Sequence, residues 1–397
     1  MSDPAFDLVT VGGGLASSAL AYAMATRGAR VLVVEREAKF HDRVRGEYLS
    51  PWGVAEAKAL GLLDLLCTKC ASILPWADPG SGPRNVVETT PQQLPGISFF
   101  HPEMQEALLT AAAEAGADVR RGSTVQGIEP GKHPAIRIGT NGMAERIAAR
   151  LIVAADGRGS AVRKWAGFAL QRNTQPFLFA GVRLGDVEAR TDMMQFFFNP
   201  EFGTVAALAP QGAGMFRAYL GHPTDARYRL QGNENLAIFL QETARVAPPY
   251  AGYFMRAKAQ GPLASFDAGD SWVEHPYRDG VALLGDAGAT SDPTFGQGMA
   301  LALRAARTLR DELTADPEWD RAGHRYAERC DTAFQSILRA TSWFRAIFQE
   351  QGPAADARRQ KAMPRIMQDP ARVPDHLFSG PELPSDDSVR ARFFGEI

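Results

Sequence analysis

Residues 6–35 read FDLVTVGGGLASSALAYAMATRGARVLVVE. Leu8 to Val11 is a short apolar, partly β-branched run, the pattern of a buried strand. Gly12-Gly13-Gly14-Leu15-Ala16-Ser17 follows, then an alanine-rich, proline-free segment from Ser18 to Arg27 that favours helix, with Gly28 placed to end it. Arg30 to Val34 is a second apolar run and leads straight into Glu35. A strand, a glycine turn, a helix and a strand within about 30 residues form the unit that binds a dinucleotide. Gly12 permits the tight turn, and Gly14 lets the backbone approach a pyrophosphate. The helix N-terminus then offers unpaired N–H groups to the phosphates. Ser17 stands where the fingerprint has a third glycine, and is small enough to keep the helix close to the strand. Glu35 lies about 20 residues past the glycines, where a carboxylate accepts hydrogen bonds from ribose hydroxyls and disfavours a 2′-phosphate. The unit therefore predicts FAD or NAD rather than NADP. Glycine-rich turns also serve purely structural ends, and it is the acid and both strands in place that favour the binding reading.

The other 367 or so positions bound the answer. A chain of 397 residues is longer than one hydrophobic core usually serves, which predicts two joined domains. The formal net charge of −2 gives no basic excess for nucleic acid or an anionic membrane. The first strand begins directly behind Met1-Ser2-Asp3-Pro4, without a signal-peptide pattern, and no apolar run reaches membrane-spanning length, so the expectation is a soluble cytoplasmic protein. Cys67, Cys70 and Cys330 do not make a disulfide framework. Cys67-Thr68-Lys69-Cys70 has the spacing of a redox pair or half a zinc site. It lacks a second ligand pair and a thioredoxin-like setting, so ordinary thiols at a helix end are expected and no metal is assigned.

Past Glu35, residues 36–50 are charged and irregular, with Arg43, Arg45, Gly46 and Glu47 close together. Pro51 to Leu66 has helical periodicity, and residues 71–96 are rich in proline and glycine, wandering over the surface or beginning a second domain. His101 to Gly116 reads as an amphipathic helix. Short strands follow at 118–128, then a hairpin around Asn141-Gly142, and a buried strand from Arg150 to Ala155 that ends in Asp156-Gly157. Residues 177–266 change character to short aromatic and apolar strands, an antiparallel sheet inserted between nucleotide-binding segments. The first theme then returns: Val281 to Leu284 is a strand, followed by Gly285-Asp286, by Asp292-Pro293-Thr294-Phe295-Gly296-Gln297-Gly298, and by a helix from Met299 to about Leu313. Asp286 is placed to bond a sugar or ribityl hydroxyl, and the amides around Gly298 to face an electron-rich ring. A further helix spans about Glu318 to Phe348, and the polar, proline-rich tail from Gly352 is expected to wrap the surface.

Taken together, Gly12 to Ser17 with Glu35, Asp156-Gly157 with Ser160-Ala161-Val162-Arg163, and Gly285-Asp286 with Pro293 and Gly296-Gln297-Gly298 resemble, in order and separation, the FAD-dependent aromatic hydroxylases related to p-hydroxybenzoate hydroxylase. The likeness runs to about Leu313 and is vaguest in the middle sheet. It implies an α/β (α+β) fold: a Rossmann-like FAD-binding domain at 1–72, 98–176 and 273–315, an inserted antiparallel-sheet substrate domain at 73–97 and 177–272, and a C-terminal helix and tail at 316–397. By position, Gly12, Gly14, Leu15 and Ala16 would hold the pyrophosphate, Glu35 and Arg36 the adenosine end, and Arg45 the region between. Gln105 would touch the phosphates and Val125 the adenine. Asp156 would serve FAD and the reducing pyridine nucleotide, its bland alternative being a turn acid at a strand end. Gly285 would also bind the cofactor, Asp286 would hold the ribityl and pyrophosphate, its bland alternative being a helix cap, and Pro293, Gly296, Gly298 and Met299 would lie along the isoalloxazine. Arg217-Ala218-Tyr219 resembles an Arg-x-Tyr that faces the flavin, and period-two alternation puts Arg217 and Tyr219 on one strand face as candidate substrate contacts. Two positions depart from the pattern: Ala287-Gly288-Ala289 carries no histidine after Gly-Asp, and His101 stands where an arginine is usual.

In this family NADH or NADPH reduces the flavin, and a flavin hydroperoxide formed with O2 passes an oxygen atom to the substrate. The cofactor carries the hard chemistry, so no acid, base or triad is assigned here. The leading expectation is thus a monooxygenase, monomer or homodimer, that hydroxylates or epoxidises a small aromatic or polyketide-like compound. Arg45-Gly46-Glu47-Tyr48-Leu49 also resembles the loop of geranylgeranyl-reductase-like flavoproteins, which implies reduction or dehydrogenation without oxygen transfer. The W-x-W-x-I-P stretch of flavin-dependent halogenases is missing. A non-catalytic carrier on the same fold would not need three intact flavin loops.

Overall fold

Phe6–Val11 pairs in parallel with Val31–Glu35 on one side and with the far half of Met143–Ala154 on the other. Asp118–Arg121 and Val281–Leu283 extend this into five parallel strands, edged by the antiparallel Tyr277–Arg278. The computed structural model describes residues 4–140, 143–173, 177–224 and 230–397. Met1–Asp3 and the turn expected at Asn141-Gly142 lie outside them, but the flanking strands Ala135–Thr140 and Met143–Ala154 pair antiparallel.

Alternation along the first strand explains the layers. Leu8 faces a cluster built with the helices Leu15–Ala25, His101–Glu114 and Gly298–Ala315. Val9 and Val11 face the opposite way, against Val125, Ile136 and Ile147 of a three-stranded meander. Both sides of the sheet are covered, as a parallel sheet requires. Ser17, standing in for the third glycine, is buried and donates to Thr10 Oγ1 at 2.8 Å, so its hydroxyl is satisfied where helix meets strand.

The middle of the chain forms a second sheet, in the order Lys258–Ala259, Phe177–Gly185, Phe216–Pro223, Thr204–Pro210, Met193–Asn199, Trp76–Asp78 and Arg84–Asn85. One face packs on the helices Leu236–Val246 and Ala251–Met255 through Val182, Phe216 and Phe239. The other presents Phe179, Phe196, Ala207 and Tyr219 towards the first domain. Within residues 71–96, Ala71–Leu74 pairs with Gly96–Phe99, and Trp76–Asp78 is a strand of this sheet, parallel to Met193–Asn199. The helix read from Pro51 to Leu66 is two, Pro51–Ala59 and Leu63–Lys69, because Gly61 adopts a left-handed φ of 78° between them.

The tail needs correction. It does not merely wrap the surface: Pro353–Gln368 and Asp387–Phe393 are helices, and the tail drives the fully buried Phe393 against Phe344 of the long helix Trp319–Phe348. Of its polar residues His376 and Ser379 are also buried, while the few aromatic ones supply a hydrophobic face.

Candidate active site

A cavity of about 590 Å³ lies where the C-terminal ends of the parallel strands meet the second sheet. In an open α/β sheet this is where ligands bind. Its walls include Gly12, Gly14, Leu15 and Ala16 from the first turn and Glu35 and Arg36 from the second strand's end. Arg45, Gln105, Val125 and Asp156 line it as well, as do Gly285, Asp286, Pro293, Gly296, Gly298 and Met299. Tyr219 faces it from the second sheet, whereas Arg217 does not line it.

Glycine is required at Gly12 for a local reason. Its φ is 101°, and a Cβ there would sit 2.4 Å from the Ala155 carbonyl oxygen. Gly14 differs, since a Cβ would meet only Gln105 Nε2 at 3.8 Å and otherwise project into open space. The cradle at Gly14 is therefore empty volume beside a helix N-terminus, which fits a pyrophosphate. Glu35 is held at the strand end by the amides of Gly13 at 2.6 Å and Glu37 at 2.7 Å.

Asp156 has a structural use. Its carboxylate accepts from Ser160 Oγ at 2.5 Å and from the amides of Ala161 at 2.8 Å and Val162 at 3.2 Å, capping the short helix Ala161–Trp165. The turn-acid role thus occupies both its oxygens, although the residue borders the cavity. Asp286 is the opposite case. No hydrogen bond to its carboxylate is found among the described residues, and it lies exposed on the cavity wall. Poor solvation raises its pKa, opposed by the charges of Arg158 and Arg45. Such an acceptor, aimed into a cavity and unbonded, fits a ribityl hydroxyl.

The loop over the cavity's middle is pinned by a buried ionic cluster. Arg217 Nε donates to Glu47 Oε2 at 2.7 Å, and Nη2 donates to both oxygens of Asp42 at 3.0 and 2.9 Å. Gln211 Nε2 also donates to Glu47. The Arg217 and Glu47 side chains are completely buried. Arg217, expected to touch substrate, is instead taken up behind the wall by two carboxylates. Tyr219 Oη donates to the Arg45 carbonyl at 2.6 Å, so its hydroxyl also holds this loop while its ring faces the cavity. His101 completes the anchor. Its amide donates to Glu47 Oε1 at 2.9 Å, and its Nδ1 lies 3.0 Å from the Gly46 carbonyl, which can only accept, so Nδ1 carries the proton. Burial lowers the His101 pKa to about 4, leaving a neutral ring where the family pattern has a cation.

A second brace was not legible in the sequence. Arg345 of the long helix donates to Asp270 at 2.8 Å and Asp292 at 3.1 Å, all three nearly inaccessible to solvent. Asp292 in turn caps the turn Pro293–Phe295, and Gln297 is bonded by Trp52 Nε1 at 3.0 Å and donates to the Phe295 carbonyl at 2.6 Å. Only the residues of the turn announced themselves as a glycine-rich loop; the arginine that holds it lies 53 positions on. The three cysteines are free thiols, and burial pushes Cys70 up to about 12, far from a reactive thiolate.

The parallel sheet with its strand, glycine turn and helix, the two glycine turns on one cavity and the open carboxylate of Asp286 define a dinucleotide-binding flavoprotein. Residues 6–334 match the FAD binding domain family, and the chain belongs to it, as a flavin-dependent oxidoreductase of the p-hydroxybenzoate hydroxylase-like group. It is 25% identical over 369 residues to digeranylgeranylglycerophospholipid reductase 2 of Methanopyrus kandleri, covering 87% of this chain and 88% of that one. It is 24% identical over 369 residues to rifampicin monooxygenase of Streptomyces venezuelae, covering 88% and 73%. The crystal structure of p-nitrophenol 4-monooxygenase from Pseudomonas putida shares the fold at a TM-score of 0.79 and 17% identity, over 96% of this chain and all, 100%, of that one. Among the described residues no helix is long and apolar enough to cross a membrane.

Proposed function

We propose that this chain is an FAD-dependent monooxygenase of the cytoplasm that uses NADH or NADPH and O2 to hydroxylate or epoxidise a small aromatic or polyketide-like compound. The observation that carries the reading is the sheet wall of the cavity. Phe179, Phe196, Tyr219 and Phe266 form an apolar chamber beside the loop from Pro293 to Met299. FAD, when bound, supplies electrons taken from the nicotinamide and the activation of dioxygen.

The residues of this chain do the rest. Gly12, Gly14 and the amides of Leu15 and Ala16 hold the pyrophosphate, with Gln105 beside it. Glu35, Arg36 and Val125 hold the adenosine end, while Arg45 and Asp286 hold the middle. Pro293, Gly296, Gly298 and Met299 would lie along the flavin ring, and Gly285 lets the chain turn at a φ of 59°. The aromatic wall excludes water and keeps the substrate within reach of the ring, which are the two tasks the protein must perform. In this reading 1–72, 98–176 and 273–315 bind FAD, and 73–97 and 177–272 enclose the substrate.

A second reading, a flavin reductase without oxygen transfer, is favoured by the likeness to the Methanopyrus kandleri reductase and by Arg45 to Leu49. Purified protein reconstituted with FAD separates the two. Anaerobic NADH or NADPH is expected to bleach the flavin, oxygen to restore it, and product formed under labelled dioxygen to carry the label. Turnover with unlabelled product supports the reductase, and no bound flavin at all refutes both.

A further inference from the structure

We propose that the indole of Trp165 stacks on the adenine of the bound dinucleotide and holds its adenosine end by a ring face. The inference rests on the flavin reading above and adds to it a residue that no glycine motif marks.

Six large apolar side chains stand exposed among the described residues, and Trp165, at 43% relative exposure, is the one aromatic ring of the six and the one that lines the cavity. No hydrogen bond or ring contact engages its indole among the described residues. A lone apolar residue on an outer surface needs no explanation. An unengaged indole on the wall of a ligand cavity is a contact surface waiting for a partner.

The backbone around it places it at the ribose end. Ser123 donates its amide to the Glu35 carbonyl at 3.1 Å, which sets the start of the strand Thr124–Glu129 beside the acid assigned to the ribose. The helix Ala161–Trp165 packs on that strand, and Val162 joins Val34 and Val125 in one buried cluster. Trp165 follows Val162 by three positions and so lies on the same side of the helix, one turn further on. Ser123, Thr124, Val125, Ala161 and Val162 line the cavity with it.

The helix is held at both ends. Asp156 and Ser160 cap its start, and Gly167, at a φ of 72°, turns the chain away while its carbonyl accepts from Arg278 Nη1 at 3.1 Å. The indole is therefore presented from a fixed platform, and tryptophan gives a large contact area for few rotatable bonds. Of the two ring systems in FAD, adenine is the one whose ribose belongs at Glu35. It is planar and uncharged, and stacking on an aromatic face removes its apolar surface from water.

The test uses the full chain freed of flavin. FAD is titrated into the unaltered protein, Trp165→Phe and Trp165→Leu, with bound flavin followed by its visible absorbance. Stacking predicts that leucine raises the FAD Kd at least about fivefold and that phenylalanine holds it within about twofold. Leucine keeps apolar contact and loses the ring face, so a merely structural role would not separate the two variants. In a second readout ADP, which carries the adenosine and both phosphates without the flavin, is titrated while indole emission is followed. It is expected to quench the unaltered protein, and most of that quench is expected to be absent in Trp165→Phe. Equal FAD affinity in all three proteins overturns the proposal, including the case where only NADH saturation suffers, which would move the indole to the reducing nucleotide. Equal loss in both variants makes Trp165 a packing residue and overturns it too. Should the leucine variant not fold, the ADP comparison decides, and an unquenched indole in the unaltered protein or an equal quench in Trp165→Phe overturns the stack. Failure of the unaltered chain to bind FAD at all would instead refute the flavin reading on which the proposal stands.

Discussion

At Gly12 and Gly14, two residues of one motif separate folding from binding. A Cβ at Gly12 collides with backbone that cannot move, and its φ of 101° disfavours any side chain. At Gly14 the backbone is extended, with φ −74° and ψ −175°, and space lies ahead of it. Gly14→Ala is therefore expected to fold with a stability loss of about 1 kcal/mol or less, the cost of alanine at an N-cap. Its FAD affinity is expected to fall at least about tenfold, because a methyl group now fills the phosphate cradle. Denaturant unfolding and flavin titration on one sample check both halves, and unaltered affinity would remove the pyrophosphate from this turn. His101 gives a pH dependence. Its folded pKa of about 4 lies below the ordinary 6.5, chiefly because burial penalises the charged ring. The unfolded chain then binds the extra proton first, so the stability linked to His101 is full above about pH 6.5 and is lost as pH falls towards 4. In His101→Gln the drop in denaturant midpoint between pH 7.5 and 5 should be smaller than in the unaltered protein. An equal drop would assign the acid sensitivity to other groups.

Among the elements, the long helix Trp319–Phe348 does more than cover the sheet. Through Arg345 it ties the 270 and 292 turns together, and removing the guanidinium strands two buried carboxylates. Breaking one side of a buried ion pair costs about 3–5 kcal/mol. Arg345→Met should lose stability on that scale and bind FAD more weakly, because the turn from Pro293 to Gly296 loses its brace. Arg345→Lys should recover part of both, and a methionine variant with full flavin affinity would show that the turn holds itself. The elements themselves were largely legible. Strand, glycine turn and helix follow one another locally, and Arg217 and Tyr219, two residues apart on one strand, both bond the loop that holds Arg45 and Glu47. Which of the two meets the cavity was not readable, since that depends on Asp42 and Glu47, about 170 residues earlier in a loop whose charges look solvated. Burial converts that loop from a surface feature into the anchor of the site.

For the whole molecule, the turn from Pro293 to Gln297 is backed by parts of the chain farthest from its first glycine. The cavity's two glycine turns could be found because each is a local pattern with a physical purpose. The tail could not, because its composition is polar and only its aromatic residues betray a buried face. Those residues build a chain of ring contacts: Phe393 meets Phe344 at 5.5 Å, and Phe344 meets Phe295 at 5.8 Å, inside the turn proposed to lie on the flavin. Gln297 also donates to the Leu377 carbonyl at 3.2 Å, a second tie from tail to turn. If the tail supports that turn, Phe393→Ala should have two effects. Truncating a fully buried phenylalanine costs about 3–5 kcal/mol. It should also weaken FAD binding under conditions where the variant remains folded. Phe239→Ala supplies the comparison, since Phe239 is equally buried but packs between the second sheet and its helices. A similar loss of stability is expected there with FAD affinity kept. If both variants lose affinity alike, the effect is one of general stability; if neither does, the ring contacts carry no coupling to the site.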